Sequence, residues 1–125
     1  FISANPFVQI AGITALQEAI PEARLMNEIY TERRKLALQG LNSIELKTNP
    51  QPDGAFYALF NVSEYEKDSM KLASEILAVT GVALAPGKDF GPCGEGHLRL
   101  SYCNSNENIE RGIKLIGKYL KEKYL

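Results

Sequence analysis

The chain has 125 residues, with 14 basic and 15 acidic side chains, and 45% of its residues are hydrophobic. This is the composition and length of an ordinary globular domain. The near balance of charge argues against a nucleic-acid partner, and no apolar run reaches the ~18 residues that a membrane span needs. Two cysteines are too few for a disulfide framework, so we expect a reducing, cytoplasmic environment.

The first 41 residues are predicted to form two helices. Apolar residues between Pro6 and Pro21 fall on more than one face, which is typical of a helix with neighbours on most sides. Pro21 suits the first turn of the second helix, and Gly40 lies near its predicted end. Because the chain begins with Phe1 and not with methionine, we expect a piece of a longer protein.

The middle of the chain changes to the alternating period of strands. Strands are predicted over Ile44–Lys47, which alternates, and over Ala55–Val62, which is rich in aromatic and apolar residues. Apolar residues from Met70 onward predict a helix that ends at Gly81. Val82–Ala85 then predicts a short strand.

The last part of the chain predicts one more strand and one more helix. The strand covers Leu98–Cys103, and Asn104 with Glu107 resembles a capping box at the start of the helix. The apolar stripe of that helix contains Ile109, Ile113, Ile116, Leu120 and Tyr124. The order of elements predicts an α+β fold, a two-layer sandwich in which helices cover a small, mostly antiparallel sheet.

Arg99 is the most informative candidate for chemistry. Strand alternation places it on the same face as Ser101 and Cys103, in the middle of an otherwise hydrophobic strand. Arginine is seldom buried without a partner, so an internal ion pair or an edge position that reaches solvent is one interpretation. The other is a receptor for a carboxylate or phosphate, because the planar guanidinium offers two parallel donors.

The loop before this strand contains glycines at 87, 91, 94 and 96. Such a loop can approach a ligand closely with its backbone, although a flexible surface loop has the same composition. No phosphate-binding glycine motif occurs in the chain.

Two other patterns are weaker. Cys93, His97 and Cys103 could be drawn as zinc ligands, but no C-x-x-C pair or fourth ligand accompanies them, so we expect no metal site. Asp53–Phe60 is similar to the aromatic strand of RNA-recognition domains, but the acidic first position and the acidic pI argue against RNA.

Three segments carry a more specific pattern when taken in order. They are Pro52–Tyr57 with P-x-G-A-F-Y, Val82–Gly91 with V-x-x-x-P-G-x-x-F-G, and Gly96–Tyr102 with G-x-x-R-L-S-Y. Together they resemble the C-terminal small domain of class I/II, fold type I pyridoxal-phosphate aminotransferases, the aspartate aminotransferase group. The resemblance covers about residues 6 to 124.

The resemblance implies three substrate-binding residues. Arg99 matches the arginine that binds the α-carboxylate of the substrate, Phe90 matches an aromatic residue that closes over it, and Gly54 matches a glycine near the substrate channel. It further implies that residues 1–20 are an interdomain segment from the large domain and that residues 21–125 are the small domain.

The resemblance also implies the activity and partners of the longer protein. These are amino transfer between an amino acid and a 2-oxo acid, pyridoxal 5'-phosphate as cofactor, a large cofactor domain in the same chain, and a homodimer. The family's cofactor lysine lies upstream, so we expect no catalytic or cofactor-binding residue here, an exposed Lys88, and no activity of the isolated chain. A lyase or decarboxylase of this fold type would share the motifs.

Two alternatives from other classes remain at this point. One is a stand-alone small-molecule-binding or regulatory α+β domain whose anion site is Arg99. The other is a purely structural oligomerisation domain.

Overall fold

The computed structural model describes residues 3–48 and 51–124. These ranges contain four helices, α1 (Pro6–Glu18), α2 (Ile20–Ser43), α3 (Ser69–Thr80) and α4 (Asn106–Tyr124), and three strands, β1 (Tyr57–Asn61), β2 (Ala85–Pro86) and β3 (His97–Ser101). Two 3-10 turns, Gly87–Phe90 and Pro92–Gly94, lie between β2 and β3. None of the described helices combines the length and apolar character of a membrane span.

The chain divides into two compact units, residues 1–31 and residues 32–125. In the first unit, α1 begins because the Asn5 side chain accepts the Phe7 N–H at 2.9 Å and Pro6 occupies the first turn. None of the α1 side chains is buried, and Phe7 is 81% exposed. The helix that the sequence predicts to be apolar on several faces is therefore exposed on several faces.

The second unit is built on the sheet, whose strand order is β1-β3-β2 with both pairs antiparallel. In the register, Leu59 of β1 and Ala85 of β2 lie on either side of Arg99 in β3. The α+β class and the antiparallel sheet are confirmed.

One face of this sheet is buried and the other is open. The side chains on the buried face of the sheet are Ala58, Phe60, Leu98 and Leu100. The buried side chains that the helices add to this core include Leu41 of α2, Leu72 and Ile76 of α3, and Ile113 and Ile116 of α4. On the open face Leu59 is 37% exposed. Arg99 lies on the same face and is half-buried.

The prediction of a strand over Ile44–Lys47 is wrong. These residues end α2 in a Schellman motif, in which the Leu46 N–H donates to the Leu41 carbonyl at 3.0 Å and the Glu45 N–H to the Asn42 carbonyl at 3.1 Å. Glu45 takes the left-handed conformation with φ 63°, and Leu46 and Leu41 are both buried. The motif is usually marked by glycine, so a glutamate in this position concealed it.

The other strand and cap predictions need smaller corrections. The strand predicted over Val82–Ala85 is reduced to Ala85–Pro86. The strand predicted from Ala55 begins at Tyr57, because Ala55 has φ 62° and interrupts the extended chain.

The ends of α3 and α4 show one success and one error. Gly81 ends α3 as predicted, with φ 73° and its N–H donating to the Leu77 carbonyl. The predicted Asn104–Glu107 capping box does not form, because the Ser105 hydroxyl accepts the Asn108 N–H at 3.3 Å instead.

Candidate functional site

The candidate site lies on the open face of the sheet, around the middle of β3. Antiparallel pairing places Tyr57 opposite Ser101 and Leu59 opposite Arg99. Side chains alternate across a strand, so Arg99 and Ser101 share the open face, as the sequence predicts. Cys103 lies beyond the strand and is exposed.

Two aromatic rings contact the Arg99 guanidinium. Its carbon Cζ lies 4.9 Å from the centre of the Tyr57 ring and 4.5 Å from the centre of the Phe90 ring. Both distances are within the range of cation–π attraction. Across residues 3–48 and 51–124 the guanidinium has no carboxylate partner and no hydrogen bond, so Arg99 forms no ion pair with this part of the chain.

Phe90 is positioned by a closely packed glycine loop. A Cβ atom on Gly87 would lie 1.9 Å from the Gly94 carbonyl oxygen, and one on Gly94 would lie 2.1 Å from the Gly87 oxygen. These two glycines are needed because the two backbones touch, and the 3-10 turn that ends at Phe90 starts from this contact.

The same loop is tied to the N-terminus of α3. The Ser69 and Gly96 N–H groups both donate to Glu95 Oε1, at 2.8 and 3.1 Å, and the Lys88 N–H donates to the buried Ser69 hydroxyl at 3.3 Å. The backbone N–H of Ser69, followed by its side chain, lowers the pKa of the Glu95 carboxyl below its ordinary value. The loop that carries Phe90 is therefore anchored at both of its ends.

Gly54 lies in the turn that leads into β1. The turn is held by Arg34, whose Nη1 donates to the Pro52 carbonyl at 3.1 Å, and by Tyr102, whose hydroxyl donates to the carbonyls of Gly54 and Ala55 at 3.4 and 3.3 Å. Burial raises the pKa of the Tyr102 hydroxyl. A Cβ on Gly54 would meet nothing within 4 Å.

A cavity of about 490 Å³ opens beside the turn and the sheet. Gly54, Tyr57, Leu59, Cys93 and His97 are among the residues that line it. The structure thus brings Phe90 into contact with Arg99, whereas Gly54 lines the cavity together with Tyr57, whose ring contacts Arg99.

Two other residues singled out from the sequence form no hydrogen bond with the guanidinium. Lys88 is exposed in the loop. His97 lies at the start of β3, with Nδ1 3.1 Å from the Glu95 carbonyl oxygen and Nε2 3.5 Å from the Asn61 amide. Among the described residues no group of His, Cys, Asp and Glu side chains could hold a metal ion.

Sequence reasoning missed Tyr57 as a member of this site. The signal was present in the Pro52–Tyr57 motif, but the face on which Tyr57 lies follows from its pairing with β3. That pairing is a long-range contact which alternation within β1 does not specify.

The chain is similar to a set of known aminotransferases. It is 39% identical over 114 residues to the valine–pyruvate aminotransferase of Mycobacterium tuberculosis, covering 90% of this chain and 29% of that protein. It is 38% identical over 121 residues to the aspartate/prephenate aminotransferase of Thermus thermophilus, covering 94% of this chain and 30% of that one. No model of a known protein family matches the chain.

A solved structure shows the same similarity in three dimensions. The aromatic aminotransferase of Pyrococcus horikoshii has a TM-score of 0.85 and 34% identity, over 93% of this chain and 31% of that one. The fold is thus a small α+β domain of the kind found in these enzymes. Over at least 90% of its length the chain matches one part of these aminotransferases, as a C-terminal fragment of an aspartate aminotransferase-like protein would, and it spans about 30% of the length of the relatives it matches.

Proposed function

We propose that this chain is the substrate-binding small domain of a pyridoxal-phosphate-dependent aminotransferase. The whole protein would transfer an amino group between an amino acid and a 2-oxo acid. The observation that carries the proposal is the half-buried Arg99, which stands on the open face of the sheet with no counter-ion among the described residues. An unpaired guanidinium in such a position suits an anionic substrate.

The proposed site residues have distinct roles. Arg99 donates two parallel hydrogen bonds to the α-carboxylate of the substrate. Phe90 covers the bound substrate from the loop side, and Gly54 leaves room beside the site because it has no side chain. Binding in one fixed orientation, with water excluded, is what this domain contributes to the reaction.

Pyridoxal phosphate supplies the electron-sink chemistry of such enzymes. Lys88, the lysine of the glycine loop, does not fit that cofactor. An imine-forming lysine needs a depressed pKa, a phosphate cradle and a partner for the ring nitrogen, whereas the Lys88 side chain is exposed on the surface of the loop. We therefore place the cofactor in the remainder of the protein and none of its ligands in this chain.

The same proposal covers the organisation of the protein. Residues 1–20 connect to a large cofactor domain, and residues 21–125 form the small domain. The full-length protein is a cytoplasmic homodimer. The exposed apolar side chains of α1 support this assignment, because they need a covering surface.

The substrate class follows from what the named relatives have in common. Valine–pyruvate, aspartate/prephenate and aromatic aminotransferases differ in the side chain of the amino acid. The α-carboxylate is shared by all of their amino acids, and it is the group that a single arginine can recognise. We infer an α-amino acid and a 2-oxo acid as the substrates.

The test compares the full-length protein with the 125-residue chain. We expect the full-length protein to transfer amino groups within a panel of amino acids and 2-oxo acids, and the isolated chain to be inactive. Incubation of the chain with pyridoxal phosphate, reduction with borohydride and mass spectrometry should give no stoichiometric adduct. One saturable adduct at Lys88, or inactivity of the full-length protein across the panel, contradicts the proposal and favours a stand-alone anion-binding domain.

A further inference from the structure

The Arg99 guanidinium is held by rings and not by acids. Tyr57 comes from β1 and Phe90 from the loop after β2, so two distant parts of the chain place an aromatic ring within 5 Å of the same carbon atom. In the described part of the chain these rings are the only groups found to interact with this side chain.

The chemistry of the group explains what such contacts can do. The five N–H donors of a guanidinium lie in one plane and point outward from its edge, and aromatic rings attract it through its faces. Rings therefore limit the rotation of the group without using its donors. A carboxylate partner in the same place would hold the group equally well, but it would occupy the donors that a substrate needs.

The geometry points to Tyr57 and Phe90 as positioning residues for Arg99. We propose that these two rings fix the plane of the guanidinium so that its free edge is ready for a carboxylate. This inference rests on the proposed function, and it gives Phe90 a role in the unliganded site and Tyr57 a role that the sequence motifs do not assign.

The contacts of the loop support a fixed position for Phe90. The 3-10 turn that carries the ring begins at the Gly87–Gly94 backbone contact, and the Lys88 N–H is bound to the buried Ser69 hydroxyl. Although Phe90 is 50% exposed, its backbone is held on both sides. The ring can therefore act on Arg99 before a substrate arrives.

The first experiment measures the contact itself in the 125-residue chain. Side-chain NMR resonances of Arg99 should lie upfield of their random-coil positions because of the two ring currents. We expect Phe90→Leu and Tyr57→Leu each to remove part of this shift, and Phe90→Tyr to retain it. Phe56→Leu is the matched control, because the Phe56 ring is exposed and contacts Tyr57 edge-on at 5.3 Å but is not placed over Arg99.

The second experiment measures positioning in the full-length enzyme. A cation–π contact of about 0.5–1 kcal/mol corresponds to about a two- to fivefold change. We expect Phe90→Leu and Tyr57→Leu each to raise KM for the amino acid by about this factor, with a smaller effect on kcat, and Phe90→Tyr to restore KM.

The outcomes separate this inference from the proposed function. Unchanged Arg99 resonances in both leucine variants overturn the inference, and so does a lost shift with an unchanged KM. A full-length protein without aminotransferase activity refutes the proposed function, and the NMR experiment then still decides whether the rings hold the guanidinium.

Discussion

Replacement of Arg99 should reduce activity far more than it reduces stability. In the full-length enzyme, loss of a charge-assisted bidentate contact in a site shielded from water costs about 2–5 kcal/mol. Since ~1.4 kcal/mol is a factor of ten, kcat/KM should fall by roughly 30-fold to several thousand-fold in Arg99→Ala. Arg99→Lys should be nearly as damaging, because an ammonium cannot reproduce two parallel donors.

The contacts of Arg99 predict a much smaller effect of its replacement on folding stability. In the 125-residue chain Arg99→Ala removes the contacts with two rings at 4.9 and 4.5 Å, each worth about 0.5–1 kcal/mol at an exposed site, or about 1–2 kcal/mol together. No buried carboxylate among the described residues loses its partner, so the 3–5 kcal/mol penalty of breaking a buried ion pair (about that size in general) does not arise.

The assay combines both quantities. We would measure kcat/KM of the full-length variants and the urea unfolding of the variant 125-residue chain, with Arg111→Ala as the matched control because Arg111 is an exposed arginine on α4. Unchanged kinetics together with a loss of several kcal/mol in unfolding free energy would make Arg99 a structural residue. The carboxylate-binding role would then be refuted.

Four further predictions concern the chain itself. Glu45→Gly should stabilise the chain by about 1 kcal/mol in urea unfolding, because Glu45 has φ 63°, which strains a residue with a side chain, and that side chain is exposed. No gain in stability would show that this backbone strain is absent. Gly87→Ala should destabilise the chain by about 1–3 kcal/mol or more, because the new Cβ meets a carbonyl oxygen. Gly54→Ala, whose Cβ meets nothing within 4 Å, should change stability by less than about 0.5 kcal/mol. Similar melting temperatures for the two variants would argue against the Gly87–Gly94 contact. Because the pKa of Glu95 is lowered, its contribution to folding stability is present above the ordinary value of 4.5 and is lost as the pH falls through the folded-state pKa. Glu95→Gln should therefore flatten the acid side of the stability–pH profile. An unaltered profile would count against the Glu95–Ser69 contact. The isolated chain should self-associate through α1, where Phe7 and Leu16 are 81% and 79% exposed, and Leu16→Glu should weaken association in light scattering; a strict monomer at high concentration would contradict this.

Local patterns were sufficient for most of the elements. The stripe of α4 predicts its helix because spacing of three and four residues makes one apolar face, and all but the last of its residues are buried. Gly81 predicts the end of α3 because glycine takes the left-handed conformation without strain. Arg99 is conspicuous because a charged residue interrupts a hydrophobic strand.

The remaining features depend on contacts between distant parts of the chain. Ile44–Lys47 alternates like a strand, but the left-handed Glu45 and the hydrogen bond from the Leu46 N–H to the Leu41 carbonyl make it the capping segment after α2. The amino-acid sequence alone determined the α+β class, the helices and the arginine in β3, because these follow from local spacing and residue chemistry. Only the tertiary structure decided that Tyr57 and Phe90 meet at Arg99, because strand register and loop packing join residues that lie 42 and 9 positions from it along the chain.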